Sequence, residues 1–406
     1  MKVTFLLPGS AAKPMGGYKV VYEYAGQLAA RGHEITVVHA AYLPEGSRGY
    51  RRTFRSKVLS YAVKGGLGIW RPDRWFTVDP RVRLMWVACL QPESVPDADA
   101  IVATWWLTAE ILSRWPDRKG RKFYLIQHLE TWGGPEDRVL ATWRLPLRKI
   151  VIARWLQQFA QQLGEECHYI PNGLDFTAFG IDTNPAERFP GRVAMLCHKQ
   201  DWKGSGEGIE ALRLAKSKVS GLRVELFGVD RSPGGLPSWI SYYRNPRQSQ
   251  LRAIYNRAAI FVSPSWVEGW PLPPAEALMC GCALVCTDIG GHREYATPEV
   301  TALMGAPKNP AGLARNIERL ATNHSFRMRL STQGNRNIQQ YTWQRATDGL
   351  EAALTGCCAC IHSSDETTPA CHGHAGTHSS EHELGVSRQR CRSGGSDIQP
   401  AAQHFN

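Results

Sequence analysis

Apolar and polar positions along this chain fall into two long series of short β-like runs separated by stretches of helical periodicity. Lys2–Pro8 is a short apolar run closed by Pro and Gly. Tyr18–Arg31 then places Val21, Tyr24, Ala25 and Leu28 at helical spacing, Gly32 ends the helix, and Glu34–His39 is apolar and β-branched again. Further strand-like runs stand at Val82–Val87, Ala100–Thr104, Phe123–Gln127 and Lys149–Ile152. A second series starts near Arg192. Strand Val193–Cys197, helix Gly206–Lys218 and strand Leu222–Phe227 are followed by helix Ser249–Arg257, strand Ala259–Val262, helix Pro273–Met279 and strand Ala283–Thr287. Strands separated by helices imply parallel sheets with right-handed crossovers, so the pattern predicts an α/β protein of two doubly wound domains. The Pro- and Gly-punctuated stretch Asp182–Gly191 marks the join. Asn309–Gln340 reads as two polar helices and Thr342–Leu354 as a last one. The expected domains are therefore 1–185 and 186–340, then a final helix at 341–355 and a tail at 356–406.

Composition adds three things to this picture. A length of 406 residues suits two domains and excludes a small stapled one. The formal charge of +12 calls for an anionic partner, whether nucleic acid, a membrane face or a phosphorylated substrate. Fourteen Trp suggest aromatic surfaces that handle something flat, such as sugars, lipids or bases. No run of eighteen apolar residues occurs, and eleven Cys without a disulfide rhythm favour a reducing compartment, so a cytoplasmic protein is expected. The tail holds five of these Cys and six of the thirteen His, with almost no Leu, Ile or Val, and is expected to be disordered. Its Cys357, Cys358, Cys360 and Cys371 lack the paired spacing of a zinc site, and no metal is expected there.

Candidate chemistry lies where strands run into helix N-termini, because ligands of open α/β sheets bind outside the carboxyl ends of the strands. The loop after the first strand ends in Gly16-Gly17, whose amides suit an anion, although an ordinary flexible loop would look the same. The loop CHKQDWKGSGEG at 197–208 brings Lys199 and Lys203 among glycines at a helix start, suited to a diphosphate or simply to solvent. The strongest signal is SPSWVEGWPLPPAEAL at 263–278. It places Glu268 on a Gly/Pro turn and Glu276, eight residues on, in the first turns of the next helix. One carboxylate can then face the reacting hydroxyls and the other a ribose; the bland alternative is a helix-dipole partner and a solvated loop charge. Asp97-Ala98-Asp99 directly precedes the strand Ala100–Thr104, at the amino end of the sheet, and reads as a turn and not a metal site.

The segment EGWPLPPAEAL resembles the E-x7-E region of retaining nucleotide-sugar glycosyltransferases with the GT-B fold, of group 1 type. The likeness extends over almost all of residues 1–355 through the Gly16-Gly17 loop, LAARGHEITVV, YIPNGLD at Tyr169–Asp175, WKG at Trp202–Gly204 and DIGGHRE at Asp288–Glu294. FYLIQHLETWGG and ATWWLTA look most like bacterial cell-surface polysaccharide transferases, including rhamnosyltransferases. The resemblance implies that Glu276 holds the nucleotide ribose, that Glu268 contacts the sugar or reaction centre, and that the amides of Gly269, Trp270, Pro271 and Leu272 approach sugar and phosphates. It implies Lys203 as the cation on the leaving diphosphate and His128 as a histidine near the sugar, with an interdomain packing role equally compatible for His128. Where the family usually has an Arg, this chain has His198, so either His198 or Lys199 takes that place. Tyr341–Leu354 resembles the last helix, which crosses back onto the first domain.

The resemblance thus implies a retaining, metal-independent transferase that needs no cofactor beyond its nucleotide-diphosphate sugar donor. Its acceptor is expected to be a glycan or lipid-linked sugar, with no nucleic-acid partner. A non-hydrolysing sugar-nucleotide epimerase and a catalytically silent sugar- or lipid-binding protein are the alternatives. The charge concentrates in Arg48–Arg83, with ten basic and two acidic residues together with Val58, Leu59, Tyr61, Trp70, Trp75 and Phe76. A solvated basic face or a patch resting on anionic lipid at the inner face of a membrane both account for it.

Overall fold

Thirteen parallel strands build two sheets in the computed structural model, which describes residues 1–43 and 54–356. The first sheet consists of β1 (Lys2–Leu7), β2 (Glu34–Ala40), β3 (Arg83–Val87), β4 (Ala100–Ala103), β5 (Arg121–Ile126), β6 (Arg148–Val151) and β7 (Cys167–Tyr169), in the order β3-β2-β1-β4-β5-β6-β7. The second consists of β8 (Arg192–Leu196), β9 (Arg223–Gly228), β10 (Ile240–Arg244), β11 (Ile260–Ser263), β12 (Ala283–Thr287) and β13 (Ala302–Gly305), in the order β10-β9-β8-β11-β12-β13. In each, the order reverses beside the first strand of the series. That is the switch point where βα loops splay apart and leave a crevice. Central strands are near-continuous apolar runs: Ala100–Ala103, Ile260–Ser263 and Ala283–Thr287 are buried at every residue, as expected of strands covered by helices on both faces.

The two doubly wound sheets agree with the sequence pattern, and three strands go beyond it. β7 (CHY), β10 (ISYYR) and β13 (ALMG) are edge strands with mixed burial, so their apolar signal is weak. Tertiary pairing to β6, β9 and β12 makes them strands.

The join between the halves is not a loose linker. Arg188 is buried, and its guanidinium donates to the carbonyls of Thr183, Tyr255, Ala258 and Cys280. The last helix, Trp343–Thr355, returns to the first half: Arg31 donates to Glu351 at 2.6 Å and Asp348 at 2.7 Å, and Tyr24 packs edge-on against Trp343. A second strut is Glu294, whose carboxylate accepts from the Arg154 amide at 2.5 Å and from the Tyr169 hydroxyl at 2.8 Å. It caps a helix of the other half (Arg154–Gln162), which relieves the unpaired N–H groups at that helix start.

Among the described residues no helix is long and apolar enough to cross a membrane. Arg48, Arg51, Arg52 and everything after Gly356 lie outside the described residues, as do the side chains of Arg55, Lys57 and Val58. The expectations placed on the tail therefore fall outside this description.

Candidate active site

The loops leaving the carboxyl ends of β1, β5, β8 and β11 converge on the crevice between the sheets. The loop after β11 carries Glu268, and the helix Leu272–Met279 that comes next carries Glu276. Pro273 and Pro274 sit in the first turn of that helix, where a missing N–H costs nothing and φ is already set. Gly269 touches the opposite half: a Cβ there would stand 1.9 Å from the Gln127 carbonyl oxygen. Only glycine allows the two loops to come so close. Trp155, from the first half, donates its indole N–H to the Gly269 carbonyl at 3.0 Å.

Glu268 is buried and carries the main charge pair of the site. Lys203 Nζ lies 2.7 Å from its Oε1 and 2.9 Å from its Oε2, and the Ser265 hydroxyl donates to Oε1 at 2.8 Å. Burial works against the carboxylate, but the Lys203 ammonium and these hydrogen bonds outweigh it and hold the carboxyl below its ordinary range. Lys203 reaches this position because the chain turns sharply at Gly204, in the left-handed region at φ +62°. A Cβ at Gly204 would also stand 2.1 Å from the Pro264 carbonyl oxygen. The WKG phrase thus reads as a backbone requirement. Lys203 and Glu268, with Ser263, Ser265, Pro271 and Pro274, line a small pocket.

Glu276 is engaged from two sides. Lys19 Nζ lies 3.1 Å from Oε1, and the buried Tyr255 hydroxyl donates to Oε2 at 3.2 Å. Lys19 stands three residues after Gly16, in the helix Gly16–Ala30 of the other half. Burial disfavours its charge, yet Glu276 more than compensates and raises the ammonium above its ordinary value. Lys19 and Glu276 share a second small pocket with Asp175, Phe179 and Trp343.

His128 follows β5. Its Nδ1 accepts from the Leu129 amide at 2.9 Å, so the neutral ring carries its proton on Nε2, a buried atom without a partner among the described residues. Burial, then opposing effects of Glu268 and Lys203, bring its pKa down to about 4, and the ring is neutral at physiological pH.

The remaining residues singled out from sequence sit as described next to their neighbours. Gly16 and Gly17 open their helix, and the Gly17 carbonyl accepts from the Gln127 amide group at 3.2 Å. Trp270 turns inward to pack on Tyr295 and Tyr341, and the Pro271 carbonyl accepts from Tyr295. Leu272 comes within 3.8 Å of a Cβ built on Gly16. His198 accepts on Nδ1 from the Gln200 amide at 3.1 Å, and burial with the neighbouring Lys203 lowers its pKa, so it carries no charge at neutral pH. Lys199 is three-quarters exposed and lies 4.0 Å from Asp230, not beside Glu268. Asp97 pairs with Lys119 at 2.6 Å and Asp99 accepts from the Lys2 amide, at the amino end of β4. Among the described residues no cluster of three or more His, Cys, Asp or Glu is placed to hold a metal.

Two participants carry no signal in the sequence pattern, and a third lies in a family-like phrase without being singled out there. Lys19 and Tyr255 act on Glu276 from distant segments without a motif. His292, in the DIGGHRE phrase, is fully buried, donates from Nδ1 to the Thr287 carbonyl at 2.8 Å and accepts on Nε2 from Ser263, so it braces the strand end below the Glu268 loop.

Comparison with known proteins agrees with the fold. Residues 240–337 match the family model described as Glycosyl transferases group 1, a segment that contains Glu268 and Glu276 but neither Lys203 nor the first sheet. The O-antigen chain mannosyltransferase B of Escherichia coli is 28% identical over 117 residues, which is 28% of this chain and 29% of that protein. An N,N'-diacetylbacillosaminyl-diphospho-undecaprenol alpha-1,3-N-acetylgalactosaminyltransferase of Campylobacter jejuni is 29% identical over 154 residues, 37% of this chain and 40% of that protein. The matched stretch thus spans less than half the length of either relative. Among solved structures, sucrose-phosphate synthase from Thermosynechococcus elongatus superposes with a TM-score of 0.66 at 15% identity, covering 87% of this chain and 98% of that one. Anabaena HepE in complex with UDP-glucose gives 0.65 at 15% identity, covering 88% and 100%. The chain has the GT-B fold, and its residues 240–337 match the glycosyltransferase group 1 family model.

Proposed function

We propose that this protein is a retaining, metal-independent glycosyltransferase. It moves a sugar from a nucleotide-diphosphate donor to a glycan or lipid-linked acceptor in cell-surface polysaccharide synthesis. In this reading the half built on the first sheet takes the acceptor and the half built on the second takes the donor. The observation that carries the reading is the part-buried Lys203–Glu268 pair in the crevice, with Glu276 on the helix that the same loop enters. Glycosyl transfer builds positive charge on the sugar ring while negative charge grows on the departing diphosphate. A fixed ammonium answers the second and a carboxylate the first. Lys203 supplies the cation and needs no metal to do so. Glu276 takes the ribose diol, and the neutral His128 stands near the transferred sugar.

Same-face substitution, with the diphosphate helping to deprotonate the acceptor, fits better than a covalent sugar–enzyme intermediate. Both Glu268 oxygens are engaged by Lys203, which weakens the carboxylate as a nucleophile. The neutral His198 favours a smaller cationic clamp than a charged His–Lys pair would give.

A thermal-shift and turnover screen against uridine, guanosine, adenosine and thymidine diphosphate sugars tests the proposal. Stabilisation by one donor, with sugar transfer to an acceptor, is expected. Binding of none overturns it, an altered free sugar without acceptor indicates an epimerase, and binding without transfer indicates a silent sugar-binding protein.

The first half also has a surface suited to anionic lipid. On the helix Phe54–Gly66 and the turn after it, Leu59, Val63 and Leu67 recur every four residues and are 64%, 44% and 70% exposed. Lys64, Arg71 and Arg74 accompany them. Exposed apolar groups among cations suit the headgroup layer of a membrane carrying lipid-linked acceptors. Co-sedimentation with phosphatidylglycerol vesicles is expected and should fall for a Leu59→Ser/Leu67→Ser variant. Equal binding to phosphatidylcholine, or no effect of the substitutions, would remove this surface from the proposal.

A further inference from the structure

The Trp-rich composition has one outlet in the crevice that the proposed chemistry leaves unused. Trp132, on the loop after β5, stacks on Trp202, on the loop after β8, with ring centroids 5.5 Å apart and planes at 30°. The pair joins the two halves at the carboxyl ends of their sheets, where ligands of this architecture bind. Trp202 precedes Lys203, and His128 stands perpendicular to Trp132 at 4.3 Å between centroids. Trp132 keeps 36% of its surface exposed. Trp105 flanks it at 6.4 Å.

The loop that carries Trp132 is held in place rather than left to drift. Glu130, two residues earlier, sits in the left-handed region at φ 63° and is buried. Its carboxyl accepts from the Trp106 amide at 2.7 Å and from the Tyr124 hydroxyl at 3.3 Å. An exposed aromatic ring on a braced loop is pre-organised for a ligand and loses little side-chain entropy on binding.

We propose that Trp132, backed by Trp202 and beside the unpartnered Nε2–H of His128, is a subsite for a pyranose ring of the acceptor glycan. A pyranose is apolar on the face where its axial C–H groups point and polar at its rim. The C–H groups carry slight positive charge and pack on the negative face of an indole, while a rim hydroxyl accepts the buried Nε2–H of His128. A ring seated there lies beside the Lys203–Glu268 pair, so the subsite would align the acceptor hydroxyl with the reaction centre. The inference rests on the glycosyltransferase reading for the word acceptor, but binding of a free sugar can be measured without it.

The test is saturation-transfer difference NMR on the full chain with methyl α-D-glucopyranoside, methyl α-D-mannopyranoside, methyl α-D-galactopyranoside and methyl N-acetyl-α-D-glucosaminide. Wild type, Trp132→Ala and Trp132→Phe are compared, with thermal melts showing that each variant is folded. At least one pyranoside should receive saturation at its ring C–H protons, at least fivefold less in Trp132→Ala and nearly unchanged in Trp132→Phe. Absence of any signal in the wild type, or an equal signal in Trp132→Ala, overturns the proposal. Calorimetry with UDP and GDP separates the two readings. If Trp132→Ala abolishes nucleotide binding instead, the ring serves the donor base and the proposal falls. If no nucleotide binds the wild type while the pyranoside signal depends on Trp132, the sugar subsite stands and the donor reading fails.

Discussion

Replacing Lys203 with alanine should lower kcat by roughly 100- to 1,000-fold, the usual cost of removing one fixed group that stabilises transition-state charge. The donor affinity should change much less, because the charge on the diphosphate grows chiefly as the glycosidic bond breaks. Lys203→Arg should recover part of the loss, since the cation returns with a different reach. Steady-state kinetics with a turned-over donor checks this, and a kcat within threefold of wild type would take Lys203 out of the leaving-group role. The same substitution has a signature in stability. In the wild type the Glu268 carboxyl is held below its ordinary range, so its contribution is complete above that range and is lost as pH falls through the lowered value. Without Lys203, burial dominates and the carboxyl rises above its unfolded value. Stability then declines as pH climbs from the unfolded value to that raised one and levels off above it. The gap in melting temperature between wild type and Lys203→Ala should therefore be small near pH 4 and widest near pH 7. A gap independent of pH would show that the pair is not an ion pair in solution.

Substituting Glu276 by alanine should weaken donor binding by tenfold or more, because a ribose diol loses its paired acceptor while Lys19 and the Tyr255 hydroxyl are left without theirs. Removing one partner of a fully buried pair costs about 3–5 kcal/mol of stability. Lys19 keeps a quarter of its side chain exposed, so a loss on the order of 2 kcal/mol is expected here. Glu276→Gln keeps the shape and one acceptor oxygen, and should lie between wild type and alanine in both measurements. Isothermal titration with nucleotide, set beside thermal unfolding, separates binding from folding. Unchanged nucleotide affinity in Glu276→Ala would remove the ribose role even if the protein were destabilised.

Why Glu268 and Glu276 are legible in the sequence while Lys19 is not is a matter of sequence distance. The two glutamates lie eight residues apart on one loop and one helix start, and Gly269, Pro273 and Pro274 between them announce the turn. Lys19 meets Glu276 across 257 residues, and nothing in the helix Gly16–Ala30 marks it apart from any surface lysine. Lys199 illustrates the reverse. It stands among glycines like Lys203, yet the turn at Gly204 carries Lys203 to Glu268 while Lys199 remains in solvent. Strands β7, β10 and β13 escape the pattern for a related reason, since edge strands owe their pairing to a neighbour and not to their own periodicity.

Sheets and charges differ in how much the residues alone settle. Short apolar runs alternating with helical patterns dictate two parallel sheets, because an apolar strand buried on both faces leaves few other arrangements. Gly and Pro placement dictates where loops may approach one another. Which charges meet is decided only by tertiary structure, which brings Lys203 to Glu268, Lys19 to Glu276 and Trp132 to Trp202 from separate segments. Local backbone preference acts over a few residues. The energy of a charge or an aromatic ring depends on burial and on its partner, and both exist only once the two sheets have closed on each other.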